Sequence, residues 1–262
     1  VDITNYVLHE TGQPLHAFDT EKIIGNKVIV KHAIKDELFR TLDNVERKLD
    51  SSDLMICNSK APMCIAGVFG GNDSGVSSLT TKIFLESAYF NPVSIRKSSK
   101  RHNLNTDASF RYERGCDPNI TVYALKRAAL LIKEICGGNI SSEIIDLYPK
   151  KIKDCKINLN YSTIDDLVGE VINRDTIKNI ILNLEIIIVN ESKDSLELII
   201  PTYRVDVTRE VDVIEEILRI YGFNNIKIPT KLNSSINTKN IKGSHFYKNL
   251  ISDLLSSNGF NE

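Results

Sequence analysis

Short apolar runs separated by turn-forming residues fill the first 90 positions of this chain, and they limit what it can fold into. The runs are bounded by Gly, Asp, Asn and Pro, which is typical of short strands joined by tight turns. They comprise Val28–Val30, Leu54–Cys57, Met63–Phe69 and Ile83–Leu85. The stretch AGVFGGNDSGV at 66–76 adds four glycines, which indicate tight turns or a close backbone approach to a ligand. A module of several small strands is therefore expected.

A helix is predicted after this region, beginning at Asp117-Pro118, where a capping residue precedes a proline suited to the first helical position. Gly137-Gly138 would end it. Its apolar face is predicted to comprise Val122, Leu125, Ala129, Ile132 and Cys136.

The composition changes near residue 150, where Tyr148-Pro149 and KKIKD form a polar linker. A chain of 262 residues is long for a single core, so more than one domain is expected. We predict three parts, at 1–150, 151–228 and 229–262. The predicted elements beyond the linker are strands at Lys156–Asn160 and Leu196–Ile200, a helix capped by Asn173, a helix with Val211, Ile214, Leu218 and Tyr221 on one face that ends at Gly222, a linker at 224–243, and a last helix with Phe246, Leu250 and Leu254.

Composition excludes several classes of protein. The formal net charge of −1 argues against a generally basic nucleic-acid coat, so any such contact must come from a local patch. No run of eighteen apolar residues is present, so no segment is expected to span a membrane. Charged and polar residues occur within the first ten positions, which argues against a signal peptide. We therefore expect no membrane partner. The five cysteines are scattered, which favours reduced thiols in a cytosolic protein over zinc ligands. The absence of an initial Met indicates a piece of a longer chain.

Four segments are dense in polar groups beside glycine or proline: GQPLHAFD at 12–19, AGVFGGNDSGV at 66–76, LESAYF at 85–90 and RHNLNTDASFRYERGCDP at 101–118. Each has an ordinary structural interpretation. His16 fits a hydrogen-bonded structural histidine, Glu86 fits a solvated residue at a strand end, and the glycines fit hairpin turns. The residues alone therefore predict a polar cluster on strand ends and loops, and they identify no reaction.

Together, in this order and spacing, the segments closely resemble the editing module of the bacterial phenylalanyl-tRNA synthetase beta-subunit family. The matching blocks include VDITNYV, GQPLHAFD, AGVFGG, LESAYF, TDAS, RYERG and ICGG. Residues 152–223 resemble the next domain of that subunit, with DVIEEILRIYGFNNI at its end, and residues 244–262 resemble the first helix of its catalytic-like domain. The resemblance implies a mixed α/β (α+β) fold, with a β-sandwich-like editing domain followed by a small winged-helix-like domain.

The resemblance implies an editing hydrolase. The synthetase charges tRNA(Phe) with phenylalanine, using ATP in a site on its alpha subunit, and it forms an alpha2-beta2 heterotetramer in the cytoplasm. An apolar pocket built for phenylalanine rejects tyrosine by only about a hundredfold, so a second site must hydrolyse the tyrosyl ester. By resemblance, Glu86 reads the tyrosine hydroxyl and His16 positions the ester or the attacking water. Gly70, Thr106 and Ala108 would shape the pocket and offer backbone groups, and Thr106 is counted with His16 and Glu86 among the catalytic residues. The group that activates the water stays open, and we expect no aminoacylation by this chain alone.

A basic stretch at 91–115 fits contact with tRNA, because its net charge is +4. Arg96, Lys97, Lys100 and Arg101 are the predicted tRNA-binding residues. The alternative for Arg111 and Arg114 is internal ion pairing with Glu113 or Asp107. A non-catalytic scaffold that binds tRNA and packs against the alpha subunit is the second functional interpretation.

An acidic cluster near the end of the second module is the candidate metal site. Asp212, Glu215 and Glu216 share one face of a helix predicted to start near Thr208, and Asp206 precedes it. Carboxylate oxygens suit magnesium, although an acidic first turn that favours the helix dipole is the simpler interpretation. The resemblance implies that Asp206, Asp212, Glu215 and Glu216 contribute to a magnesium site shared with the alpha subunit, which would bind weakly in this chain alone.

Overall fold

The computed structural model describes residues 1–227 and 243–261, and it forms two compact units, at 1–223 and 224–262. In the first unit, the helices are α1 Asp2–Thr11, α2 Pro92–His102, α3 Asp107–Tyr112, α4 Thr121–Cys136, α5 Tyr161–Val168, α6 Arg174–Asn183 and α7 Glu210–Tyr221. Its strands are β1 Leu15–Asp19, β2 Ile29–His32, β3 Leu38–Arg40, β4 Glu46–Lys48, β5 Leu54–Cys57, β6 Pro62–Ile65, β7 Phe69–Gly70, β8 Ile83–Ser87, β9 Cys155–Asn160, β10 Ile187–Glu191 and β11 Ser195–Ile200. The mixed α/β class predicted from the sequence is confirmed.

The strands form several small antiparallel sheets. A four-stranded sheet has the order β2-β5-β6-β7, and two ribbons pair β1 with β8 and β3 with β4. Isolated bridges from Phe18 to Gly75 and from Thr41 to Gly71 connect these pieces. Their shared core contains fully buried Phe18, Met55 and Ile65.

The ribbon of β1 and β8 lies between two apolar clusters. Helices α1 and α4 contact one face of it, where Leu15 and Leu85 pack against buried Val7, Ala124 and Ala128. On the other face, Phe18 belongs to the core of the strand-rich part. Because successive side chains of a strand alternate between faces, His16 lies on the same side as Phe18.

The second part of this unit is a three-stranded antiparallel sheet with the order β10-β11-β9. One face of the sheet is covered, since Leu159, Leu196 and Leu198 are completely buried. Helix α6 begins after Asn173, whose side chain accepts hydrogen bonds from the backbone N–H groups of Asp175 and Thr176. The predicted cap at Asn173 is therefore confirmed, as is the end of α7 at Gly222.

Several sequence predictions were wrong in position or type. Residues 2–11 form a helix rather than strands and turns. Helix α4 begins at Thr121 instead of Asp117, because the Asp117 carboxylate accepts from Asn119 N (3.0 Å) and from the Thr202 hydroxyl (2.6 Å) in the preceding loop. The predicted strand 63–69 is divided into β6 and β7 by a turn at Gly67, whose φ is +67°.

The predicted helix faces were displaced by one or two positions. The buried line of α4 is Ala124 and Ala128, whereas Cys136 is exposed. In α7 the predicted Ile214 is buried, together with Val213 and Ile217 instead of Leu218, and Val211 is exposed. In both helices, contacts with the rest of the fold determine which side chains are buried.

The unit at 224–262 contains helix α8, Ser244–Ser257, as the sequence predicted. Leu250 and Leu254 on its apolar face are exposed. The predicted linker at 224–243 lies mostly outside the described residues. Among the helices of the described residues, none has the length and apolar character needed to cross a bilayer.

Candidate active site

His16 and Glu86 are direct partners in the antiparallel ladder of β1 and β8, although 70 positions separate them in the sequence. Side chains of directly opposed residues project from the same face of a sheet and contact each other's surroundings. This face points toward the strand-rich core that contains Phe18. The structure therefore brings together the histidine and the glutamate that the sequence identified separately.

The His16 imidazole is enclosed by nonpolar neighbours. Its ring meets that of Phe18 edge to face, with 4.4 Å between the centroids. A methyl group placed on Gly70 would come within 3.0 Å of His16 Cε1, so the absence of a side chain at Gly70 makes room for the ring. Burial lowers the pKa of His16 to about 4, and Nε2 has no hydrogen-bond partner among the described residues. His16 is thus neutral at pH 7, with a free polar atom.

The pKa of the Glu86 carboxyl is shifted in the opposite direction, upward. Burial raises its pKa from 4.5 to about 8, and no hydrogen bond or ion pair within the described residues offsets this. The thiol of Cys64 and the phenol of Tyr112 lie close enough that the charge of Glu86, after burial itself, raises the pKa of each. At pH 7 most of the Glu86 carboxyl is protonated, so it can both donate and accept a hydrogen bond.

Thr106 and Ala108 lie at the start of α3. The Thr106 hydroxyl donates to the carbonyl of Val68 (2.8 Å) and accepts from Ser109 N (3.1 Å), which completes a capping box. It therefore connects α3 to the glycine turn that precedes Gly70. Ala108 packs against the apolar core. The contacts of Thr106 are internal, so its part in the site is to hold the turn that leads into β7 and Gly70.

Two buried polar residues of this region were missed by the sequence reasoning. Gln13 is completely buried and Tyr112 is 3% exposed, and they contact each other (Gln13 Nε2 to Tyr112 Oη, 3.3 Å). Both lie within blocks that carry the family resemblance, GQPLHAFD and RYERG, and that membership was the available signal.

The basic residues of α2 divide into two groups. Arg96, Lys97 and Lys100 are exposed and form no ion pair within the described residues. Arg101 instead donates to the buried carboxylate of Asp53 (2.5 Å) and to the Ser52 hydroxyl (2.9 Å). The sequence reasoning did not anticipate this internal role.

Asp53 is the centre of that network. It is completely buried and also accepts from the Ser98 hydroxyl (2.6 Å), while His102 Nε2 lies 2.7 Å from it. Burial alone would raise the pKa of the Asp53 carboxyl, but the hydrogen bonds from His102 and Ser98 more than offset this, so the pKa lies well below its usual range. Helix α2 is thereby fixed to the strand-rich part.

Arg114 forms the ion pair with Glu113 (2.7 Å) that the sequence left as an alternative, and its guanidinium lies 3.6 Å over the Phe110 ring. This arginine therefore packs on its own segment of the chain.

Three of the four acidic residues of the predicted metal site, Asp212, Glu215 and Glu216, lie on α7, and Asp206 precedes that helix. Within the part of the chain that the structure describes, no group of three or more His, Cys, Asp or Glu could hold a metal ion. Asp212 accepts from Arg209 Nη2 (2.8 Å) and from the backbone N–H groups of Thr208 and Arg209, which lowers its pKa to about 2. Glu216 pairs with Arg219 (2.7 Å) and Arg204 (3.2 Å). Arginines thus occupy two of the four carboxylates.

Two open clefts lie away from His16 and Glu86. One, of about 430 Å³, lies where the strand-rich part meets the three-stranded sheet, and Cys116, Cys155 and Arg204 line it. The other, of about 370 Å³, lies along β9, β10 and β11. Neither contains a residue of the predicted editing site.

Comparison with known proteins accounts for both parts of the chain. The B3/4 domain family model matches residues 1–137, and the tRNA synthetase B5 domain model matches residues 157–223. The whole chain is 56% identical to part of the phenylalanine–tRNA ligase beta subunit of Bacteroides thetaiotaomicron and 48% identical to part of that of Porphyromonas gingivalis, covering 32% of each. The chain therefore belongs to the B3/4 domain family, and the curated relatives to which it is similar are phenylalanine–tRNA ligase beta subunits.

The chain spans about a third of the length of these relatives. It is also 42% identical to part of the Clostridium acetobutylicum phenylalanine–tRNA ligase beta subunit, and it covers 33% of that subunit. Among solved structures, an N-terminal fragment of the phenylalanyl-tRNA synthetase beta subunit from Pyrococcus horikoshii is similar, with a TM-score of 0.44 and 15% identity. That similarity covers 83% of this chain and 64% of the other. The family assignment rests on the family models and the curated relatives.

Proposed function

We propose that the face shared by His16 and Glu86 is an editing site that hydrolyses tyrosyl-tRNA(Phe) in a cytoplasmic phenylalanine–tRNA ligase. The observation that carries this proposal is the direct cross-strand pairing of a neutral histidine with a largely protonated glutamate, beside a glycine that leaves room around the ring.

Selectivity for tyrosine follows from the state of Glu86. A half-buried carboxyl without an internal partner is costly, and a tyrosine hydroxyl relieves that cost by exchanging hydrogen bonds with it. Phenylalanine has no such group and leaves the carboxyl unpaired. A site built to bind a hydroxyl can reject the analogue that lacks it far more strongly than an apolar pocket rejects an added hydroxyl.

His16 is assigned to positioning rather than to proton abstraction. With a pKa of about 4, its imidazole is a weak base at pH 7, so it removes a proton from water poorly. Its free Nε2 atom can still accept a hydrogen bond, which orients a water molecule toward the ester carbonyl carbon. Gly70 supplies the space, and Thr106 holds the turn that precedes it.

The exposed cations of α2 are the proposed tRNA contact. Arg96, Lys97 and Lys100 offer three positive charges with no internal partner among the described residues, which suits phosphate groups. Arg101 contributes less than the sequence predicted, because Asp53 and Ser52 already bind its guanidinium.

For the whole ligase, we propose that the acidic residues near α7 contribute to a magnesium site shared with the alpha subunit. Asp206, Asp212, Glu215 and Glu216 provide the oxygen donors that magnesium prefers. As arranged here they do not fit the ion, because Arg209, Arg204 and Arg219 bind two of them. Binding would therefore require these ion pairs to open, with the partner subunit completing the site.

The finer fold assignments are proposals of the same kind. We propose a β-sandwich-like arrangement for the first part, supported by the bridges that join its small sheets, and a winged-helix-like arrangement for the part at 151–228.

The second candidate is a non-catalytic scaffold that binds tRNA and packs against the alpha subunit. It is favoured by the position of the two clefts, both of which lie away from His16 and Glu86.

One experiment separates the two functions. The full chain is incubated with tyrosyl-tRNA(Phe) and, in parallel, with phenylalanyl-tRNA(Phe), and release of the amino acid is followed. Editing requires faster hydrolysis of the tyrosyl ester, and His16→Ala should slow it. Binding of both tRNAs without hydrolysis above the spontaneous rate would instead identify a scaffold.

A further inference from the structure

Two buried polar side chains join the ends of the strands that carry His16 and Glu86. Gln13 Nε2 donates to the carbonyl of Pro14 (3.1 Å) and to that of Ala88 (2.7 Å). The Tyr112 hydroxyl lies within hydrogen-bond distance of the same two carbonyls, at 3.2 and 3.0 Å. We call Gln13 and Tyr112 the bridging pair.

The backbone itself explains why this pair is needed. The ladder of β1 and β8 ends at the partners Leu15 and Ser87. The next residue outward, Pro14, has no N–H and cannot donate to the ladder. A buried carbonyl without a donor costs free energy, so the carbonyls of Pro14 and Ala88 require donors from elsewhere. The bridging pair supplies them.

The orientation of the Gln13 amide in this pair costs free energy. Gln13 Oε1 is buried and has no partner among the described residues. The opposite amide orientation would place Oε1 against two carbonyl oxygens, which repel it. The fold therefore keeps one acceptor unsatisfied in order to direct Nε2 at both strand ends, and an exception of this kind calls for a functional reason.

The bridging pair reaches every element of the proposed site. Pro14 lies two residues before His16, and Ala88 lies two residues after Glu86. Tyr112 is the last residue of α3, whose cap Thr106 binds the turn before Gly70. Its ring is fixed against Phe90, with 5.1 Å between the centroids.

We infer that Gln13 and Tyr112 are positioning residues for the hydrolysis: they fix the separation of the strand ends, and hence the placement of His16 relative to Glu86, without touching the substrate. The catalytic part of this inference rests on the proposed function. Displacement of reacting groups by about 1 Å can cost about a hundredfold in rate, so a small change at the strand ends is sufficient to matter.

The test uses Tyr112→Phe, which removes the hydroxyl and keeps the ring against Phe90. Tyr123→Phe, at an exposed position of α4, is the matched control. The two readouts are steady-state hydrolysis of tyrosyl-tRNA(Phe) and NMR titration of His16 and Glu86. We expect kcat to fall by about tenfold, equivalent to about 1.4 kcal/mol of barrier, with little change in KM. The pKa of Glu86 should fall toward its ordinary value as water reaches it, while Tyr123→Phe changes neither readout.

Unchanged kcat together with unchanged titrations in Tyr112→Phe would overturn the inference. If Tyr112→Phe does not fold, as judged by circular dichroism, Gln13→Met takes its place with the same expectations, and wild-type behaviour of that variant overturns it equally. If the wild-type chain does not hydrolyse tyrosyl-tRNA(Phe), the proposed function fails. The titrations alone then decide whether the pair fixes His16 and Glu86.

Discussion

His16 and Glu86 face each other across the β1–β8 ladder, and burial drives both toward their neutral forms. An ionised histidine–glutamate pair would be the ordinary expectation for such neighbours at pH 7. Here the low pKa of the imidazole and the high pKa of the carboxyl leave two uncharged groups that can exchange hydrogen bonds with a polar ligand. This pairing is the basis of the predictions on selectivity and pH.

Glu86→Ala should remove most of the preference for tyrosyl-tRNA(Phe) over phenylalanyl-tRNA(Phe). The loss should be about 1–3 kcal/mol, as expected when one buried hydrogen bond to a polar group is deleted. The measurement is the ratio of kcat/KM for the two esters. Glu134→Ala, at an exposed carboxylate of α4, is the control and should leave the ratio unchanged. Native selectivity in Glu86→Ala would show that another residue reads the hydroxyl.

Stability should fall as the pH rises from about 6.5 to about 8. The folded-state pKa of Glu86 is about 8, above the ordinary 4.5, so the folded state holds a proton that the unfolded chain has released. Below pH 4.5 both states hold the Glu86 proton, so burial of the carboxyl carries no charge penalty. Between pH 4.5 and 6.5 the growing penalty at Glu86 is offset by His16, whose folded-state pKa of about 4 lies below its ordinary 6.5. Above pH 6.5 the Glu86 penalty alone remains, and stability falls until about pH 8. Urea unfolding across this range should show the decline in wild type and a flatter profile in Glu86→Gln. Identical profiles would contradict the assignment of the shift to Glu86.

Gly70→Ala should impair the site while the fold survives. The added methyl group would lie 2.9 Å from Leu42 Cδ1, an end of a flexible side chain, and 3.0 Å from His16 Cε1, so the histidine ring must move. We expect slower tyrosyl-tRNA(Phe) hydrolysis and altered NMR signals of His16. Gly75→Ala is the matched control, because its methyl group would meet Leu42 at 3.3 Å without contacting His16. An unmoved His16 signal in Gly70→Ala would rule out this steric role.

Asp53→Ala should destabilise the fold by about 3–5 kcal/mol, because it leaves the buried His102 and the half-buried Arg101 without their common acceptor. Asp36→Ala is the control. Its ion pair with Lys48 is exposed, so its loss should cost less than about 1 kcal/mol. Denaturant unfolding measures both variants. Equal costs would show that the buried network contributes no more than a surface ion pair.

Magnesium should bind this chain weakly, because Arg209 must release Asp212 before the carboxylate can coordinate an ion. Calorimetric titration should show tighter binding once the alpha subunit is present, and Asp212→Asn should weaken that binding. Equal affinity with and without the alpha subunit would contradict a shared site.

The elements predicted correctly from the sequence were those whose ends are marked by capping or turn residues. The cap at Asn173, the end of α7 at Gly222 and the strand Leu54–Cys57 were all recognisable, because capping groups and turn residues act over a few positions. Helix α1 was missed, since its sequence carries only two buried residues and a modest apolar face.

The sequence by itself determined the family, through blocks in a fixed order, and it identified His16, Gly70 and Glu86 as residues of interest. Only the tertiary structure decided what surrounds them. The partnership of His16 with Glu86 joins distant strands, and their pKa values depend on burial, which no local pattern encodes. The same holds for Arg101, whose basic character predicted a surface contact until folding placed Asp53 beside it. Charge and capping are properties of a segment, whereas burial and pairing belong to the whole fold.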